Sequence, residues 1–115
     1  MRIKIILLFV FCLFSFVKIF SQNGMTGPLY WNLENGTLTI TGEGDMPHYS
    51  SPSYSPWYPY RTSIITVVLS NGITSIGNNA FYNCTNISSV NLADLSSLTH
   101  IGSYAFRLTK ITTTT

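Results

Sequence analysis

Ile73-Thr74-Ser75-Ile76-Gly77-Asn78-Asn79-Ala80-Phe81 recurs as Leu98-Thr99-His100-Ile101-Gly102-Ser103-Tyr104-Ala105-Phe106, a displacement of 25 residues, and this pair of segments decides the fold. Upstream of each, Ile64-x-x-Val67-x-Leu69 recurs as Ile87-x-x-Val90-x-Leu92, displaced by 23 residues. The two-residue difference lies in the connecting turn around Asp94 to Ser97. An irregular globular core gives no reason for one spacing to occur twice, whereas a structure built from a recurring unit does.

Self-similarity at a period of about 20–29 residues is the signature of a solenoid of leucine-rich-repeat type. Within each unit, apolar residues two apart, as in Val67-Val68-Leu69 and Val90-Asn91-Leu92, point to one face of a short strand. Asn71-Gly72 makes a turn, and Ile73 to Ile76 starts a second extended stretch on the opposite side. Gly77 and Gly102 fall where the chain bends sharply and a Cβ would collide. Ala80-Phe81 and Ala105-Phe106 then supply a small residue for close approach and a ring for the interior. The spacing therefore predicts a mostly β fold: parallel strands wound into a short right-handed solenoid. Its core would be Ile64, Val67, Leu69, Ile73, Ile76, Ala80, Phe81, Cys84, Ile87, Val90, Leu92, Leu98, Ile101, Ala105 and Phe106.

Upstream of the repeats, Leu29-Tyr30-Trp31-Asn32-Leu33 and Thr37-Leu38-Thr39-Ile40-Thr41 alternate in character around Glu34-Asn35-Gly36. Asn-Gly supplies the positive φ angles of a tight turn, so these residues predict a β-hairpin that caps the solenoid. Gln22 to Pro28, Gly-rich and without periodicity, reads as a flexible lead-in. Met46 to Arg61 reads as a loop, because Pro47, Pro52, Pro56 and Pro59 interrupt any helix or central strand. The loop is also dense in aromatic residues: Tyr49, Tyr54, Trp57, Tyr58 and Tyr60. Such rings could stack on sugars or anchor a protein partner, or Trp57 could plug the open end of the first coil, as a terminal cap must.

The N-terminus carries a different signal. Of the first twenty-one residues, sixteen are hydrophobic, and they include five of the seven Phe. Arg2 and Lys4 precede the uncharged run Ile5 to Val17, and Lys18-Ile19-Phe20-Ser21-Gln22 turns polar. This is the layout of a secretory signal peptide over 1–21, with cleavage after Ser21. The run is too short for a membrane span, which needs about 20 apolar residues. The whole chain has a net charge of +2, but beyond residue 21 only Arg61, Arg107 and Lys110 face Glu34, Glu43, Asp45 and Asp94. The remainder is therefore slightly acidic and carries no nucleic-acid footprint. Cys84 is the one cysteine left there, so no intrachain disulfide forms and packing must supply the stability. The expected organisation is a signal peptide at 1–21, a hairpin and aromatic, proline-rich cap at 22–63, repeats at 64–111 and a Thr tail at 112–115.

Ile73 to Cys84, read as Ile-Thr-Ser-Ile-Gly-Asn-Asn-Ala-Phe-Tyr-Asn-Cys, followed by Ile87-Ser88-Ser89-Val90-Asn91-Leu92, closely resembles the BspA-like leucine-rich repeats of bacterial and some protist surface proteins. Trp31-Asn32-Leu33, the stretch Gly36 to Pro47 and Pro56-Trp57 are similar to that family's N-terminal segment. The resemblance spans roughly residues 29 to 106. It implies an exported, non-enzymatic solenoid that mediates adhesion or other protein contacts at a cell surface. It offers no catalytic residue to carry over. The sequence departs from the pattern where Thr109 replaces the position of Cys84, and Arg107 to Thr115 does not continue the motif.

The remaining chemistry is sparse. His48 and His100 have no Cys or His at metal-ligand spacing. No Gly-x-Ser-x-Gly elbow or phosphate-binding glycine loop occurs. Glu43 and Asp45, two apart in a Gly turn, read as solvated acids rather than a glycosidase pair. Cys84 reads as a small buried hydrophobe. Asn35, Asn83 and Asn86 satisfy the glycosylation sequon, which matters only in a eukaryotic secretory route; Asn83 and Asn86 also suit turns, where their side chains bond backbone. The sequence thus predicts a binding protein without cofactor or metal. Its partner would be a protein on a host or neighbouring cell surface, or a glycan gripped by the Tyr/Trp loop, while the uncovered last coil would favour self-association. A fragment of a longer repeat protein with no function of its own is the remaining reading, because repeat stacks need about three units and terminal caps.

Overall fold

The computed structural model describes residues 21–111. The expected signal segment up to residue 20 and the Thr tail 112–115 lie outside the described residues. Eight strands follow in chain order: β1 (Gln22–Thr26), β2 (Leu29–Glu34), β3 (Thr37–Thr41), β4 (Gly44–Asp45), β5 (Thr66–Leu69), β6 (Ile73–Ile76), β7 (Ser89–Val90) and β8 (His100–Ile101). They form a five-stranded sheet in the order β1-β2-β3-β5-β7 and a three-stranded sheet in the order β4-β6-β8. The β1–β2 and β2–β3 pairs are antiparallel, whereas β3–β5–β7 and β4–β6–β8 are parallel.

The tight turn between β2 and β3 forms as Asn-Gly demands, with φ of 51° at Asn35 and 78° at Gly36. Both parallel ladders begin earlier than the sequence repeat. Leu38 stands beside Val67 and Ile40 beside Leu69, so the second hairpin strand is already a rung. The 46–63 loop, inserted between β4 and β5, hides that relationship in the sequence.

Gln22 to Pro28 is not a flexible lead-in: Gln22 to Thr26 pair residue by residue with Leu33 back to Leu29. No apolar alternation marks this strand, because it sits at a sheet edge and buries only Thr26. Gly24 lies over the Trp31 ring, where a Cβ would come within 3.2 Å of the indole Nε1. The aromatic loop also differs from expectation in containing two short 3-10 helices, Pro52–Tyr54 and Tyr58–Ser63. Proline breaks longer helices but presets the φ that a first turn requires, and both begin with Pro in their first two positions.

The interior is built around an aromatic column. Trp57 stacks on Phe81 with centroids 5.6 Å apart, and Phe81 stacks on Phe106 at 5.3 Å, each pair within 21° of parallel. Trp31 and Tyr49 meet Trp57 edge-on at 6.0 and 5.8 Å. Backbone bonds tie one repeat to the next: the N–H groups of Asn79, Phe81 and Asn83 donate to the carbonyls of Ser103, Ala105 and Arg107. One rung further back, the Trp57 indole N–H donates to the Ala80 carbonyl at 2.7 Å. A side chain there does what backbone does in the following rung.

Ile64, Val67, Leu69, Ile73, Ile76, Ala80, Phe81, Cys84, Ile87 and Ala105 are buried. Val90, Leu92, Leu98 and Phe106 are only partly buried against that core. Ile101, predicted as core, is exposed instead at 42%, because no described strand lies beyond β8 to cover it. The amides of Tyr104, Phe106 and Leu108, the counterparts of Asn79, Phe81 and Asn83, find no backbone acceptor among the described residues. Thr109 does keep the geometry of Cys84: its N–H reaches Phe106 as that of Cys84 reaches Phe81. The backbone repeat therefore continues past the point where the side-chain motif lapses.

Candidate functional site

The five aromatic residues of the loop do not form one platform. Tyr49 is buried, and its hydroxyl shares a hydrogen bond with Thr26 Oγ1. Trp57 is wholly buried at the head of the aromatic column, so as partner-contacting rings both are corrected. Of the other three, Tyr54 is the most exposed, at 66%. The Arg61 guanidinium sits over the Tyr58 ring, 4.3 Å from its centroid. The Tyr60 hydroxyl donates to Gln22 Oε1.

The outward face of the five-stranded sheet presents a more continuous surface. Side chains alternate across a strand, and the inward set Leu29, Trp31, Leu33, Leu38, Ile40, Val67 and Leu69 is buried. The outward set falls into cross-strand rows fixed by the register. One row runs Met25, Tyr30, Thr41; the next Asn23, Asn32, Thr39, Val68; a third Glu34, Thr37, Thr66, Ser89. Every member is exposed or half-buried, with Met25 at 64%, Tyr30 at 42% and Val68 at 39%. Glu34 is the sole charged side chain in these rows. The rows are mainly Thr and Asn around Met25, Tyr30 and Val68, and low charge is one feature shared with the core of a protein interface.

Sequence reasoning missed this face because its members straddle the hairpin and the first repeat. The signal was present in the outward positions of alternating strands, Tyr30 and Val68 among them, but placing them side by side needs the β3–β5 register.

On the three-stranded sheet, Asp45 accepts a hydrogen bond from the Thr74 hydroxyl. That bond, then one from Ser75, holds its carboxyl below the usual value of 3.8. His48 Nδ1 accepts from the Asn78 amide at 2.9 Å, and its ring meets His100 edge-on at 6.5 Å. Nothing in their spacing brings these histidines together; the parallel ladder β4–β6–β8 does so. Among the described residues no three His, Cys, Asp or Glu side chains are grouped to hold a metal ion. Burial pushes the Cys84 thiol up to about 12, so the thiolate needed for nucleophilic chemistry is scarce. Asn86 donates from its side chain to the Thr62 carbonyl.

A family model described as "BspA type Leucine rich repeat region (6 copies)" matches residues 57–115. No curated protein matches the chain. Among solved structures, the chain is similar to the crystal structure of a leucine-rich repeat protein from Eubacterium ventriosum ATCC 27560, with a TM-score of 0.69 and 36% sequence identity. That likeness covers 81% of this chain and 25% of the other, so this chain spans about a quarter of the length of that protein. With the family model covering just over half the residues, the chain belongs to the BspA-type leucine-rich-repeat family.

Proposed function

We propose that this protein is an exported leucine-rich-repeat module that binds a protein partner at a cell surface and performs no catalysis. The repeats would wind as a short right-handed solenoid headed by the β1–β2–β3 segment. One observation carries the reading: the outward face of the five-stranded sheet holds a single charge and exposes Met25, Tyr30 and Val68. Family membership supports it, since leucine-rich repeats commonly mediate protein–protein contacts. The layout of residues 1–21 supports export. Among the described residues, no helix is long and apolar enough to cross a membrane.

A crosslinkable side chain placed at Val68 tests the site against extracellular proteins of the cells that present the partner. Discrete protein adducts are expected, and Tyr30→Ala should weaken them by an order of magnitude or more, as truncating a buried interface anchor does at about 2 kcal/mol. Tyr54→Ala should leave them unchanged. Adducts insensitive to Tyr30→Ala, or none at all, would overturn the assignment of this face.

A further inference from the structure

Away from the sheet face, a cavity of about 230 Å³ opens where the β2–β3 turn meets the 3-10 helix Tyr58–Ser63. Gln22, Leu33, Asn35, Gly36, Tyr60 and Ser63 line it. Its walls are tied to one another. The Tyr60 hydroxyl donates to Gln22 Oε1 at 3.1 Å, and the Gly36 carbonyl accepts from both Ile65 and Thr66. The backbone around Gly36 is thus fixed by the fold, and an exposed side-chain bond joins Tyr60 to Gln22.

Its chemistry is specific in what it lacks. None of the six lining residues carries a charge, so an ionic ligand would lose hydration without gaining a counter-charge. What the lining offers is an aromatic ring, an aliphatic side chain, two side-chain amides and the hydroxyls of Tyr60 and Ser63. That set matches a ligand with one apolar C–H face and an edge of hydroxyls, in which each amide can donate and accept at once. The volume is below the roughly 300–1,000 Å³ of pockets for drug-sized ligands, which suits a single ring rather than an extended chain.

We propose that this cavity binds one neutral sugar residue, such as the terminal unit of a glycan. Carbohydrate recognition would then fall to Tyr60 and the amides around it, and not to a platform that includes Trp57 and Tyr49. The site shares no residue with the outward sheet face, so either can fail without the other.

Saturation-transfer NMR on the protein with methyl glycosides of neutral hexoses tests the proposal, with methyl glucuronide and glycerol as comparison ligands. At least one neutral glycoside should bind with a Kd on the order of 1 mM and receive transfer well above both comparison ligands. Tyr60→Ala should weaken it by about tenfold or more. Ser63→Leu, which fills the cavity from an exposed position while leaving Tyr60 in place, should abolish it, and Tyr54→Ala should not change it. Absence of transfer to every neutral glycoside at about 10 mM, equal transfer to glycerol or glucuronide, or full binding in folded Ser63→Leu would overturn it.

Discussion

At the scale of single residues, Trp57 does two jobs that the chain elsewhere divides between a ring and a peptide group. Its indole stacks on Phe81 and its N–H satisfies the Ala80 carbonyl. Trp57→Phe keeps a ring but leaves that buried acceptor without a partner, a loss of about 1–3 kcal/mol. Trp57→Ala also opens a cavity and should cost about 3–5 kcal/mol. Urea denaturation of both variants measures the two parts, and an unchanged stability in Trp57→Phe would show that the hydrogen bond contributes nothing. Two buried acids set the alkaline limit. Burial raises the Tyr49 hydroxyl from 10.0 to about 12 and the Cys84 thiol from 9.0 to about 12. Because the folded values lie above the unfolded ones, the stability they confer is full below about pH 9 and is lost as pH rises toward 12. Cys84→Ala should move the onset of that loss upward by about one pH unit, to where Tyr49 alone acts, as read from melting temperatures between pH 8 and 12. Asp45 acts in the opposite sense: with its pKa lowered, its contribution holds above about pH 4 and is lost as pH falls, so Asp45→Asn should flatten the acid limb.

At the scale of elements, left-handed backbone positions separate good repeats from poor ones. Asn79 and Asn83 adopt φ of 61°, and their counterparts Tyr104 and Leu108 adopt 58° and 61°. Asparagine tolerates that region, whereas for other L-residues it costs about 1–2 kcal/mol. Leu108→Asn should therefore stabilise the protein by about 1 kcal/mol while removing an exposed apolar side chain. An unchanged or lower denaturation midpoint would contradict that account. Gly36, at φ of 78°, predicts the reverse, a loss of about 1–2 kcal/mol in Gly36→Ala. These elements also show what the sequence could and could not disclose. The spacing of Ile73, Ile76, Ala80 and Phe81 is local, so the burial of those residues was legible. The Asn35-Gly36 turn was equally legible, because its chemistry is contained in two residues. β1 was not, since an edge strand with one buried side chain carries no apolar period and exists only through its pairing with β2. The pairing of β3 with β5 was hidden by the long aromatic loop, and with it the sheet face of Tyr30 and Val68. Tyr49 reads by composition as a contact ring, and Trp57 as either a contact ring or a plug for the first coil; column stacking and hydrogen bonds take both inside.

At the scale of the whole molecule, the structure depends on each repeat satisfying the one before it. Phe81 and Phe106 occupy the same position of successive repeats, but the Phe81 amide donates to Ala105 while that of Phe106 has no acceptor among the described residues. Hydrogen exchange of individual amides compares them directly, together with the pairs Asn79/Tyr104 and Asn83/Leu108. If backbone bonds from repeat to repeat hold the molecule together, Asn79, Phe81 and Asn83 will exchange far more slowly than Tyr104, Phe106 and Leu108. Equal exchange rates within the three pairs would contradict it.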